Sequence, residues 1–338
     1  SDLAAQMSQS SAAVDALKAR DDATGVWFLG KARFLASGDL RAAGNNDEAL
    51  AELDRARECF AKSMAKNKDY AASCKQWISY CLGKKGNIAY AMDRFDDAEK
   101  WLLEACTTDP GHIADDLGLS ESTRLGIMRV ADKFFRKQDL GRVESIYRKA
   151  SDAASGDLDL LNNSGLFARD WGNELERQKK VKEAQEMYEQ SYKAYSRAHQ
   201  LDPKNVRLCN DTALIAIWHL ERDWDQSKQM LDGAIAEGKT QLSAIPADKP
   251  QQRKDLDEAI GDCLENLALW HIKHSKDAAA AKAAAQESQK HHPGAGRPAM
   301  TSSPPPSIPA GRVAGVDYGR RRIGIAVCDA RRILASPL

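Results

Sequence analysis

The sequence predicts an all-α chain: a helical solenoid of about five or six irregular helix pairs over residues 22–293, with a short β-hairpin fragment at its C-terminus. Three observations carry that prediction. A small residue, a large apolar or aromatic one four later, and a second small one three further on recur along the chain, often with a Pro five residues beyond. A second helical pattern precedes several of these at a matching offset. The alanine-rich amphipathic character then ends near residue 293, where a Pro/Ser stretch, Thr301 to Ala310, leads into an Arg- and Gly-rich segment.

Residues 1–21 are expected to form an N-terminal helix or partial repeat. The recurrent pattern is seen at Ala98, Leu102, Ala105, Pro110, at Ser191, Tyr195, Ala198, Pro203, and at Ala281, Ala285, Ser288, Pro293. Val143, Tyr147, Ala150 and Ser227, Leu231, Ala234 repeat it without the Pro. Spacing of four then three puts the three residues on one helix face, and the small ones let a neighbouring helix approach. The Pro cannot continue a helix and marks its end. Two patterns run on by a heptad: Ala49, Leu53, Ala56 continues to Phe60 and Ser63, and Ala184, Tyr188, Ser191 to Tyr195 and Ala198. A heptad adds about two turns while nearly keeping the buried face.

The preceding helix is clearest at Lys85-Gly86-Asn87-Ile88-Ala89-Tyr90 before Ala98, and at Trp171-Gly172-Asn173 before Ala184. The combination resembles the tetratricopeptide repeat, two antiparallel helices per unit, over residues 22–293. The corresponding small residues Ala98, Val143, Ala184, Ser227 and Ala281 fall 41–54 apart, more than that family's repeat. The heptads account for part of the excess; the rest is expected in loops such as Ser37–Asn46 and Gly238–Arg253. The resemblance implies a stack whose first helices line a concave groove for a partner peptide or helix. It places Arg169, Asn173 and Arg177 on one ridge of that groove, Asn87 and Tyr90 in an earlier unit and His219 in a later one. The implied ligand is an acidic or C-terminal peptide. The other reading is an ordinary solvated face, with Arg169 and Arg177 paired to Asp170, Glu174 or Glu176.

Composition narrows the alternatives. Net charge is zero, but residues 300–338 carry six Arg against two Asp, which leaves residues 1–299 at −4. Such a mixed surface argues against a bulk nucleic-acid binder in the helical part. Seven Cys without CxxC spacing fit reduced thiols in a cytoplasmic protein. Cys74 and Cys81 would sit about 10 Å apart along one helix, too far for a disulfide. No apolar run approaches the ~20 residues of a membrane span. The seven Trp are expected as core residues. His271, His274 and Cys263 lack a fourth ligand at metal spacing, and Asp93, Asp96 and Asp97 fit a turn between paired helices. No cofactor is expected for this part, and no motif suggests an independent enzyme within it.

After a linker over 294–311, expected to be disordered, Arg312 to Asp317 reads as a strand and Arg322 to Asp329 as a returning one. The run from Asp317 to Asp329, D-Y-G-x-x-R-I-G-x-A-V-x-D, resembles the opening of the YqgF/RuvX family, RNase H-like proteins known as Holliday-junction resolvases or pre-16S rRNA nucleases. The resemblance covers residues 312–338. It implies that Asp317 is a catalytic and metal-binding carboxylate, that Mg²⁺ is the cofactor of a complete domain, and that Arg320, Arg321 and Arg322 meet nucleic acid. The family's later acidic residues would lie past Leu338, so this piece is expected to be inactive. Met300 would suit the start of a separate reading frame, and the absence of Met at position 1 suggests a missing upstream piece. Two functions are therefore expected: a protein–protein interaction scaffold, or a metal-dependent nuclease with the helical array as adaptor.

Overall fold

The computed structural model describes the backbone over residues 2–291 and in three short C-terminal strands, and the side chains over residues 9–291. A first helix, α1 (Asp2–Leu17), packs on α2. Six antiparallel pairs follow: α2 (Ala23–Ala42) with α3 (Asn46–Lys66), α4 (Ala71–Ala91) with α5 (Phe95–Thr108), and α6 (Thr123–Phe135) with α7 (Leu140–Ala153). Then come α8 (Leu158–Arg177) with α9 (Val181–Leu201), α10 (Val206–Leu214) with α11 (Trp224–Ala244), and α12 (Pro250–Trp270) with α13 (Ala278–His291). Each second helix packs on the next first helix, so the array is an all-α solenoid.

One device closes every pair. The turn after the first helix contains a left-handed residue: Gly44, Asp93, Gln138, Lys179, Glu221 and Lys276 in turn. In the first four pairs the backbone N–H beyond it donates to a carbonyl five residues back: Asn45 to Leu40, Arg94 to Ala89, Asp139 to Phe134 and Lys180 to Leu175. This is the Schellman closure, which satisfies carbonyls that the ending helix would leave unpaired. In the last two pairs the bond reaches back six residues, Arg222 to Ala216 and Asp277 to His271. There α10 and α12 end in π-helical turns, Ile215–Leu220 and His271–Ser275, and the extra residue in the turn lengthens the closure.

The second helices present the seams expected of them. Ala49, Ala98, Val143, Ala184, Ser227 and Ala281 each donate their N–H to the carbonyl of the residue capping their helix, so they are structurally equivalent, and all are buried. Leu53, Phe60, Leu102, Tyr147, Tyr188, Tyr195 and Leu231 lie buried on the same faces. Glycines of the first helices receive these large side chains. A Cβ on Gly86 would lie 2.4 Å from Leu102, and one on Gly165 would lie 2.8 Å from the Tyr195 ring. At the last seam Ala284 is buried in place of Ala285, which is only partly so.

Three expectations are corrected. Ser37–Asn46 is not a loop: α2 runs through Ala42, and the buried Ser37 hydroxyl donates to the Phe34 carbonyl within the helix. Gly238–Arg253 is likewise mostly helix, interrupted only at 245–249, where Arg253 donates to the carbonyls of Leu242 and Ile245. The long spacing of the units is therefore held largely in helices, several of 20 or 21 residues, with irregular chain concentrated at 109–122 between α5 and α6. Among the Trp residues, Trp270 is buried and five are half-buried, but Trp218 is 49 % exposed and is no core residue.

Beyond His291 the described backbone comprises strands Ala314–Gly319, Arg322–Cys328 and Ala335–Pro337. Three short strands do not constitute an RNase H-like fold. The linker expected at 294–311 lies outside the described residues.

Candidate binding cleft

The first helices do not pack uniformly. α4 lies directly against α2 and α6, and α10 against α12, whereas no comparable packing joins α6 to α8 or α8 to α10. Close approach of α4 and α6 depends on glycines: a Cβ on Gly83 would lie 2.2 Å from Thr123 Oγ1. Beside α8, the side chains of Leu166, Phe167, Arg169 and Asp170 line an open space instead. The result is a cleft of about 1010 Å³ between the end of α6, α8, α10 and α12. Ligand cavities are commonly ~300–1,000 Å³, so the space is ample for a peptide segment.

Of the six expected groove residues, four line this cleft: Arg169, Asn173, Arg177 and His219. Arg169 Nη2 pairs with Asp170 at 2.8 Å, and Arg177 Nη2 with Glu174 at 2.8 Å. Burial alone would lower the Arg169 pKa; Asp170, with smaller contributions from Tyr195 and Asp211, outweighs it and holds the guanidinium above its usual value. The Tyr188 hydroxyl reaches two acceptors, Asn173 Oδ1 at 2.9 Å and Glu176 Oε2 at 2.8 Å. His219 stacks on the Tyr188 ring at 3.9 Å between centroids. Burial pushes its pKa down to about 4, so the imidazole is neutral at pH 7.

The other two are elsewhere. Asn87 is 2 % exposed and its amide donates to the carbonyls of Gly83 and Ser122, which fixes it between α4 and α6. Tyr90 packs edge-to-face on Phe95, with 5.6 Å between centroids, over the core of the second and third pairs. Neither lines the cleft. Of the sites expected further on, Asp317 and Arg322 lie on strands whose side chains are outside the described residues, and Arg320 and Arg321 lie outside them altogether.

Residues that the sequence reading missed complete the cleft. Phe135 and Trp218, 42 % and 49 % exposed, are aromatic rims, with Leu140, Leu166, Leu214 and Leu269 as further apolar lining. The Lys273 ammonium lies over the Trp218 ring at 5.2 Å and pairs with Glu221. Deeper, Asn266 Nδ2 donates to Asn210 Oδ1 at 2.8 Å, and Asn210 Nδ2 to Asp211 at 3.3 Å. The polar run Asn210-Asp211-Thr212, set in an otherwise apolar stretch, was the available signal. Amides and an indole beside apolar walls can bind a backbone and bury a side chain, but offer no nucleophile. Among the described residues no three His, Cys, Asp or Glu cluster to hold a metal. Burial pushes the thiols of Cys81, Cys106, Cys209 and Cys263 up, so they stay protonated. No helix among those residues is long and apolar enough to cross a membrane.

No family model matches the chain. A curated protein from Rhodopirellula baltica named "Putative pre-16S rRNA nuclease" is 55 % identical over 42 residues, 12 % of this chain and 24 % of that protein, so the chain spans about a quarter of that relative's length. Among solved structures, the C-terminal part of a TPR repeat-containing protein from Cytophaga hutchinsonii is 12 % identical, covers 85 % of this chain and 92 % of its own, and has a TM-score of 0.40. YrrB, described as a TPR protein with an unusual peptide-binding site, is 12 % identical over 61 % of this chain and 84 % of its own, with a TM-score of 0.31. The TPR2AB domain of yeast Sti1 in complex with a pHSP90 peptide is 13 % identical over 77 % and 99 %, with a TM-score of 0.27.

Proposed function

We propose that the helical array is a protein–protein interaction scaffold that holds a partner peptide or helix in the cleft between α6, α8, α10 and α12. The observation that carries this reading is the exposed indole of Trp218 beside amides of Asn173, Asn210 and Asn266 in one concave space. Exposed aromatics in such settings concentrate binding energy, and truncating one at a hot spot costs about 2 kcal/mol or more. The repeat resemblance of residues 22–293 agrees, and the scattered reduced cysteines suit a cytoplasmic setting. Affinity capture from the source cells should recover a partner with the wild-type chain and with Leu35→Ala, whose exposed side chain is not among those lining the cleft. Trp218→Ala should lose it. An unchanged partner set with Trp218→Ala would refute the cleft as the binding site.

A second reading rests on the identity to the nuclease of Rhodopirellula baltica together with the Asp317–Asp329 motif. In it, the parent protein is a metal-dependent nuclease acting in pre-16S rRNA processing or junction resolution, with the array as adaptor. Asp317 would contribute to holding Mg²⁺, and Arg320 to Arg322 would contact phosphates. A chain extended past Leu338 should cleave RNA or junction DNA with Mg²⁺ and lose that activity with Asp317→Asn; no cleavage by the extended chain removes the reading.

A further inference from the structure

The last helix of the array delivers the chain to one end of the cleft. At the end of α13, His291 Nδ1 lies 2.7 Å from the carboxylate of Asp257 on α12. The α12 residues that line the cleft begin at Ala259 and run to Leu269. They lie about 3–18 Å further along the same helix, at 1.5 Å per residue. Twelve residues, His292 to Ser303, separate His291 from Pro304, and a chain of that length can span about 40 Å. The way around α12, about 10–12 Å across with its side chains, to any of its cleft residues is shorter than that.

The run Pro304-Pro305-Pro306-Ser307-Ile308-Pro309 has four Pro in six residues and no charge. It matches the cleft in two respects. Trp218 and Phe135 are 49 % and 42 % exposed, the indole even with the Lys273 ammonium over its ring. Pro rings pack well in aromatic-lined grooves, and their fixed φ leaves little freedom to lose on binding. Pro also has a carbonyl acceptor and no N–H, so a Pro-rich backbone asks mainly for donors. Asn173 Oδ1 already accepts from the Tyr188 hydroxyl, so what its amide has left to give is N–H, and the Trp218 indole adds another donor.

Resting on the cleft as the binding site, we propose that residues 304–309 of this same chain occupy it as a polyproline II segment against Trp218 and Phe135, and that a foreign partner binds by displacing them. With three residues per turn, Pro306 and Pro309 share one edge of such a segment, and Pro305 with Ile308 the next. Two adjacent edges are then apolar and can cover the aromatic rims. A short connection holds a tethered segment at an effective concentration in the millimolar range. A segment with a dissociation constant of about 0.1 mM would thus fill the cleft about nine-tenths of the time.

The test uses the full chain, a variant carrying Pro304→Ser, Pro305→Ser and Pro306→Ser, and a capped, fluorescein-labelled peptide of residues 300–311. Fluorescence anisotropy should show the peptide bound about tenfold more tightly by the triple variant, whose cleft is vacant, than by the wild type. Adding Trp218→Ala to the triple variant should abolish binding. Raised salt should leave it unchanged, because the peptide carries no charged side chain. Equal binding by wild type and triple variant would overturn the proposal. So would a dimer that the wild type forms with rising concentration and the triple variant does not, since the segment would then sit in a second copy. Binding to neither protein, with partner capture still lost in Trp218→Ala, would overturn the Pro-rich occupant and leave the cleft as the binding site. Peptide binding and partner capture that are both indifferent to Trp218→Ala would overturn both.

Discussion

Arg41 at the end of α2 and Glu121 just before α6 form a bidentate ion pair between side chains only 10 % and 9 % exposed, linking the first helix pair to the third across 80 residues. Arg129 of α6 approaches the same carboxylate at 3.3 Å. Adjacent-pair packing alone would not make such a contact. It ties the first unit to the third on either side of α4, which packs against both α2 and α6.

Breaking this pair from one side should therefore be costly. Glu121→Gln is expected to destabilise the chain by about 3 kcal/mol, because buried Arg41 loses its partner, and Arg41→Met by less, because Arg129 still faces the Glu121 carboxylate. The double variant should cost clearly less than the sum of the two. Urea unfolding followed by circular dichroism measures all three; additive losses would show that the pair is not coupled.

The glycine contacts give a steric prediction. Gly165→Ala should cost about 1–3 kcal/mol, since its Cβ would meet three atoms of the Tyr195 ring at under 3.0 Å. Gly156→Ala, with nothing within 4 Å of the added carbon, should be close to neutral. Thermal melts of the two variants side by side decide it.

His219 should make stability depend on acid. Its folded-state pKa of about 4 lies below the ordinary 6.5, so the unfolded chain binds the extra proton between those values. Stability is therefore full above about pH 6.5 and falls as pH drops toward 4, by about 1–2 kcal/mol at pH 5 once solvent screening is allowed for. His219→Phe keeps a ring against Tyr188 and should flatten this part of the profile. An unchanged slope in that variant would remove His219 as the cause.

Lys84 provides the basic counterpart. It is buried on α4, and its ammonium lies over the Phe34 ring at 4.3 Å and 3.4 Å from the Phe34 carbonyl. Burial pushes its pKa down to about 8, against an ordinary 10.5. The unfolded chain thus holds the proton more tightly, and stability should rise as pH increases from 8 to 10.5. Lys84→Met should stabilise the chain at pH 7 by about 1–2 kcal/mol and abolish that rise. Loss of stability in Lys84→Met would mean that its packing over Phe34 outweighs its desolvation.

Amino-acid order alone determined the second helices. Residues such as Ala98, Leu102 and Ala105 are bound to share a face by helix geometry, and a face of that kind must be buried wherever the helix packs. Only the tertiary structure decided what the first helices expose. Asn87 and Asn173 occupy the same place, seven residues before the residues capping their partner helices, Arg94 and Lys180. Gly83 and Gly126 let α6 close over Asn87, while α8 has no such close neighbour and Asn173 lines the cleft. The distance between neighbouring helices is set by side chains from both of them, brought together from far apart in the chain, and no single helix's periodicity contains it.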